Sequence, residues 1–150
     1  ISDNSTIGGN AAISGNGFIN GNSVIRGSAG IYGIFEIGGT VVISKDAYIV
    51  NQFIKGNAII AEHATIKNSN DYINLDRIGR NGFITAYKTK DGVFVKAVLA
   101  DKENNIEFIS LPLYDFENNN SFIYSDSRYT KEYLHAIELI KVHFEYDEED

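Results

Sequence analysis

The sequence predicts a mainly β protein: short parallel strands coiled into a prism over residues 1–69, then a small α+β unit over residues 70–150. Three observations carry this expectation. Isoleucine recurs every sixth residue from Ile1 through Ile7, Ile13, Ile19, Ile25, Ile31, Ile37 and Ile43 to Ile49. After one five-residue step, Ile54, Ile60 and Ile66 continue the phase. Small residues and glycines hold fixed places around each isoleucine, and charge and glycine content change abruptly near Asn68-Ser69-Asn70. A fixed period is read before any local signal, because it sets the architecture.

Two residues before each isoleucine the side chain is usually small, as at Ser5, Ala11, Gly17, Ser23, Ala29, Ala47, Ala58 and Ala64. Two residues after it a glycine is common, from Gly9 through Gly39 to Gly56, often followed by Asn. Gly and Asn tolerate φ > 0 and mark a turn in each unit. A short strand centred on isoleucine, followed by such a turn, makes one flat side. Three sides close one turn of a prism, and successive turns stack as parallel strands about 4.8 Å apart. A flat antiparallel sheet would need a period of two.

The pattern, an aliphatic residue followed four positions later by a small one, resembles the hexapeptide-repeat left-handed parallel β-helix. The resemblance covers residues 1–69 and implies about four coils. The chain contains no Met, and Ile1 already stands in the repeat phase, so further residues are expected upstream.

The second unit follows from alternation and turn chemistry. Asn81-Gly82 and Asp91-Gly92 are two-residue hairpin signals. They join strands near 72–80, 83–90 and 93–100 into a meander, with Ile84, Ala86, Ala97 and Leu99 on one face. A fourth strand runs from Ile106 to Ser110, Pro112 ends regular pairing, and Asn118-Asn119-Asn120-Ser121 is a loop. A helix from about Tyr129 to Phe144 places Tyr129, Tyr133, Ile137, Ile140 and Phe144 in one arc, a stripe suited to packing on a sheet. Ser127 or Asp126 is its expected cap.

This unit resembles a module of hexapeptide-repeat proteins from bacteria and their phages. The residues concerned are Ile78-Gly79-Arg80-Asn81, Tyr87-Lys88-Thr89-Lys90-Asp91-Gly92 and the run from Lys131 to Leu139. In those proteins a Gly-Cys pair follows the second hairpin strand. Here Val98-Leu99-Ala100-Asp101 stands in that place, so no thiol role carries over. The resemblance implies a pairing of domains and no activity.

Chemistry is sparse. The chain has no Cys, which excludes disulfides and thiolate sites and fits a reducing compartment. No apolar run reaches membrane-span length and no signal peptide is visible. A cytoplasmic protein is expected, in a bacterial host if phage-encoded. Acyltransferases that share the coiled fold use a histidine at an inter-subunit site, and His63 is the one histidine of the repeat. A turn residue on the surface is the plain reading of it. A general base would need an orienting partner and a substrate within reach. The zinc enzymes of similar fold need three histidines per metal. His135, Glu138 and His143 project too far apart on the helix to serve. The glycines lack the Lys-Ser/Thr ending of a phosphate loop. No catalytic residue, cofactor or metal site is assigned.

The surface remains. Residues just before each isoleucine point outward, and each side collects every third unit. One side presents Thr6, Val24, Val42 and Ile59. Another presents Phe18, Glu36 and Phe53, and the third Tyr48 beside Tyr32 and Val50. Val24, Val42, Ile59, Phe18, Phe53 and Tyr48 are therefore the candidate interface, since contiguous exposed apolar residues mark contact surfaces. The protein's own second unit, a homodimer or homotrimer, or a foreign protein could cover the Val24–Val42–Ile59 ladder. Residues 1–69 have no net charge, so the net of −7 lies wholly beyond them. That acidity argues against nucleic acid. It leaves the tail Asp147, Glu148, Glu149 and Asp150 as either a solvated end or a contact for a basic partner. The expected function is a non-enzymatic protein-binding or structural module. Its specific form is a phage or mobile-element protein that occludes a host protein by an acidic surface. The alternative is an acyltransferase-like enzyme with a degenerate or inter-subunit site.

Overall fold

The computed structural model describes residues 3–78, 82–100, 106–118 and 127–144. The first strands, in chain order, are β1 (Thr6–Ile7), β2 (Ala12–Ile19), β3 (Val24–Ile25), β4 (Gly30–Ile37) and β5 (Val42–Ile43). Then come β6 (Tyr48–Val50), β7 (Phe53–Ile54), β8 (Ile59–Ile60) and β9 (Thr65–Ile66). All pair in parallel. Thr6 lies against Val24, Val24 against Val42, and Val42 against Ile59, so three turns of the chain link four levels. β2 and β4 are long enough to bend round a corner and serve two sides. At one end Gly30 of β4 opposes Tyr48, and at the other Glu36 opposes Phe53.

The six-residue isoleucines fill the interior. Every in-phase isoleucine from Ile19 to Ile66 is buried, whereas Ile7 and Ile13 at the first level are partly so. The small residues of the pattern also face inward, at the corners: Ser23, Ala29, Ala47, Ala58 and Ala64 are buried. Phe35 takes such a corner yet is buried, because the residue stacked against it is Gly17. A Cβ on Gly17 would come within 2.4 Å of the Phe35 ring.

A 3₁₀ turn at Ser69–Asp71 leaves the solenoid, fixed by the Asp71 carboxylate, which accepts the N–H groups of Lys67 and Asn68 at 3.0 Å each. β10 (Tyr72–Ile78), β11 (Gly82–Thr89), β12 (Gly92–Ala100) and β13 (Ile106–Pro112) form an antiparallel sheet in sequence order. Thr89 opposes Gly92, so the hairpin loop is Lys90–Asp91, one residue earlier than the Asp-Gly signal predicts. The left-handed φ of Gly92 (116°) serves the start of the strand rather than the loop. At the first hairpin signal Gly82 is already the first residue of β11, opposite Ile78, rather than part of the loop, while Asn81 lies outside the described residues. β13 continues to Pro112 and leads into α1 (Leu113–Glu117), a single turn of helix too short to show a period in sequence.

α2 (Ser127–His143) packs Tyr133, Ala136, Ile137 and Ile140 on the sheet face made by Ile84, Ala86, Val95, Ala97 and Leu99. Ser127, one of the two expected caps, is the first residue of α2, while its side chain, that of Tyr129 and all of Asp126 lie outside what is described. So do most of the Asn118–Ser121 loop and the whole tail Asp147, Glu148, Glu149 and Asp150.

The other face of the sheet closes the end of the solenoid. Tyr87 enters the solenoid's own core cluster and is fully buried, with Tyr72 and Phe94 packed beside it. The Ile59 N–H donates to Thr85 Oγ1 at 3.1 Å, and the Tyr72 hydroxyl donates to the Phe53 carbonyl at 3.0 Å. Asn74 donates to Asn57 at 3.1 Å, and Lys96 pairs with Glu62. Each of these contacts falls on the last turn, which is how a sheet end avoids leaving its backbone edge bare.

Candidate interaction surface

The outward columns stand where the repeat predicts. Val24, Val42 and Ile59 align on one side and are half-buried. The contacts described above join the second unit to this ladder at Ile59, its last rung. Phe18, Glu36 and Phe53 align on a second side. Phe18 is 71% exposed and Phe53 62% exposed. Between their levels Glu36 forms an ion pair with Lys55 at 3.0 Å. On the third side Tyr48 is stacked between Gly30 and Thr65. Its ring lies 5.4 Å from that of Tyr32, and Lys67 sits 5.8 Å above its centroid.

The structure adds Ile34 to the Phe18–Phe53 wall. It stands at the corner leading into that side and is 62% exposed. The signal was present in the sequence: Ile34 falls midway between Ile31 and Ile37, out of the inward phase. A cleft of about 620 Å³ opens at the upper end of the same wall, lined by Phe53, Lys55, Lys67, Tyr72, Asn74 and Asp76 among others. Its mixture of amide, aromatic and charged groups is polar rather than a greasy slot.

His63 does have a carboxylate beside it. Its Nδ1 lies 2.7 Å from Asp46 Oδ2, and the other oxygen of Asp46 accepts the His63 backbone N–H at 2.7 Å. The backbone hydrogen bond is the main reason the Asp46 carboxyl sits below its ordinary value. At another corner, more than two turns lower, Asp3 bonds the Gly21 N–H in the same way, at 3.1 Å. The Asp46–His63 pair thus belongs to a set of corner bonds between levels, and the ring is exposed. Three clefts among the described residues are lined by other side chains.

Among the described residues no three His, Cys, Asp or Glu gather as a metal set. His143 Nε2 lies 2.7 Å from the Tyr72 carbonyl, which ties α2 to the sheet, while His135 and Glu138 face outward. No helix among them is long and apolar enough to cross a membrane.

The arrangement defines a class: a parallel β-solenoid of about three turns, closed at one end by an antiparallel sheet backed by a helix. No protein-family model, curated protein or solved structure matches the chain.

Proposed function

We propose that this is a non-enzymatic protein-binding module of the hexapeptide-repeat kind, with the Phe18–Ile34–Phe53 wall as its docking surface. The observation that carries the reading is the exposure of three large apolar side chains, Phe18 and Phe53 on one rigid side of the solenoid and Ile34 at the corner leading into it. Backbone ladders hold that side from level to level, so little conformational entropy is lost when it is covered. Aromatic anchors of this kind dominate the energetics of protein interfaces. The acidic second unit adds long-range attraction for a basic partner, which suits a phage or mobile-element protein acting on a host protein in the bacterial cytoplasm.

The test is capture with the full chain as bait, comparing wild type with Phe18→Ser/Phe53→Ser. A single stoichiometric partner, lost with the double variant and regained on reverting Phe18, supports the wall. Equal capture by both proteins would place binding elsewhere.

A second reading, an acyltransferase-like site, draws on the Asp46–His63 pair. It predicts thermal stabilisation by an acyl-coenzyme A that disappears in His63→Ala. Equal unfolding temperatures with and without the thioester would dismiss it.

A further inference from the structure

The sheet reaches past the solenoid that it closes. Tyr72, Asn74, Thr85, Tyr87, Phe94 and Lys96 all contact the last turn or pack against its core, which identifies the solenoid side of β10, β11 and β12. Side chains alternate across a strand, so Phe83 and Val98 share this side. Val98 is opposed by Phe108 of β13, and Phe83 by Val98. Phe108 is 77% exposed and Ile106, two residues away on the same side, is 65% exposed. An apolar row therefore runs outward beneath the sheet and ends on β13.

Among the described residues β13 is also the last strand in the sheet order. It pairs with β12 without a bulge through its whole length, from Ile106 to Pro112. The devices that usually protect an edge are a lysine, a bulge, a proline within the strand or inward charge. Here the only charge is Glu107, and the proline is the final residue. Such an edge is a template for another strand.

We infer that β13 pairs antiparallel with β13 of a second copy about a two-fold axis centred on Phe108. Identical strands are self-complementary in this geometry. Centring on Phe108 sets the two Phe108 rings opposite one another, with Ile106 facing Ser110. Centring on Glu107 would instead oppose like charges, which is unfavourable. The axis is perpendicular to the sheet, so both apolar rows lie on one side of a continuous eight-stranded sheet.

Charge separates this occupant from a foreign basic protein. Each copy carries a net charge of −7, so pairing between copies works against repulsion that salt screens. A buried phenylalanine covers roughly 150–250 Å². Two such rings with two short strands reach only the low end of specific interfaces, about 1,200 Å² in total. The dimer is accordingly reversible, with dissociation read at micromolar rather than nanomolar chain concentration.

The experiment is sedimentation of the full chain across concentration and salt, beside Phe108→Lys, Phe108→Cys and Leu134→Cys. Phe108 and Leu134 are exposed, so these variants keep the fold, which circular dichroism checks. Wild type should shift from monomer to dimer with concentration, more readily at high salt, and Phe108→Lys should raise the dissociation constant at least ten-fold. The chain has no native cysteine, so Phe108→Cys should form a disulfide-linked dimer on mild oxidation. Opposed residues of an antiparallel pair lie within bridging distance. Leu134→Cys, on the helix behind the sheet, should not. A wild type that stays monomeric at millimolar concentration overturns the inference. So does a dimer unaffected by Phe108→Lys, or one that weakens as salt is added. The Phe18 and Phe53 capture result is independent of all three.

Discussion

The side-chain carbonyl of Asn51 accepts the Ile34 N–H at 2.8 Å, standing in for a backbone carbonyl that the last turn lacks. Elsewhere in the coil alternate N–H groups donate to the backbone carbonyl of the next level, as Gly8 does to Ile25 and Ala12 to Ala29. The single five-residue step between Ile49 and Ile54 removes one residue at this corner. Glu36 accordingly donates to Gln52, and Ile34 would have no acceptor without the amide. The Asn51 N–H still donates to Tyr32 at 3.0 Å. Its φ of 56° is a conformation that Asn tolerates better than most residues.

Asn51→Gly should therefore lose the hydrogen bond while relieving the backbone, costing about 1 kcal/mol. Asn51→Ala should lose the bond and retain the left-handed strain, costing about 2–3 kcal/mol. Urea unfolding of the full chain gives both values. If alanine proves no worse than glycine, the left-handed conformation contributes nothing to the difference.

Much of this fold was legible because a strict period reports burial directly. The inward isoleucines, the corner positions and the three outward columns all follow from counting in sixes. What the period cannot show is which exceptions compensate one another. Phe35 breaks the small-residue rule and is accommodated by Gly17, eighteen residues away in sequence and adjacent only once the coil is closed. The alternation of Ile84, Ala86, Ala97 and Leu99 likewise gave the helix-covered face of the sheet. Tyr87 occupies the other face, where a tyrosine reads as solvent-facing. Only the meeting of the two units makes it the stopper of the solenoid core. The wall of Phe18 and Phe53 was visible in the sequence, whereas Ile34 needed recognition that an out-of-phase isoleucine must point outward.

Tyr87 closes the solenoid end with its ring, so ring and hydroxyl should separate by mutation. Tyr87→Ala would leave a void against the last-turn isoleucines and cost about 3–5 kcal/mol, as large aromatic truncations in cores do. Tyr87→Phe keeps the ring and removes the hydroxyl, with its long contact of 3.5 Å to Glu62 and its interaction with the Ala61 backbone. It should cost under about 1 kcal/mol. Hydrogen exchange adds a spatial readout: in Tyr87→Ala, amides of the last turn near Ile54, Ile60 and Ile66 should lose protection first. Uniform loss along the solenoid would mean that the sheet does not act as a local stopper.

Glu62 and Tyr87 should also set opposite pH limits on the seam between the two units. Burial pushes the Glu62 carboxyl up, but the hydrogen bond and charge of Lys96, helped by Lys45, hold it below its ordinary value on balance. The folded state then binds the Glu62 proton less readily than the unfolded chain. The resulting stability is complete above the ordinary carboxylate range and is lost as pH falls through the folded value. Tyr87 is the reverse case: burial first, and then the Glu62 charge, raise its hydroxyl well above the ordinary 10.0. Its contribution is complete below that ordinary value and is lost as pH rises through the folded one. Thermal midpoints of wild type should therefore fall both below about pH 4 and above about pH 10. Glu62→Gln should flatten the acid limb and also soften the alkaline one, because it removes a charge that helps raise Tyr87, whereas Tyr87→Phe should flatten the alkaline limb alone. Because Glu62 is partly solvated, screening reduces its effect, and the acid limb should shrink further at high salt. An acid limb unchanged in Glu62→Gln would assign that loss to other carboxylates and leave the Lys96–Glu62 pair without a measurable part in joining the sheet to the solenoid.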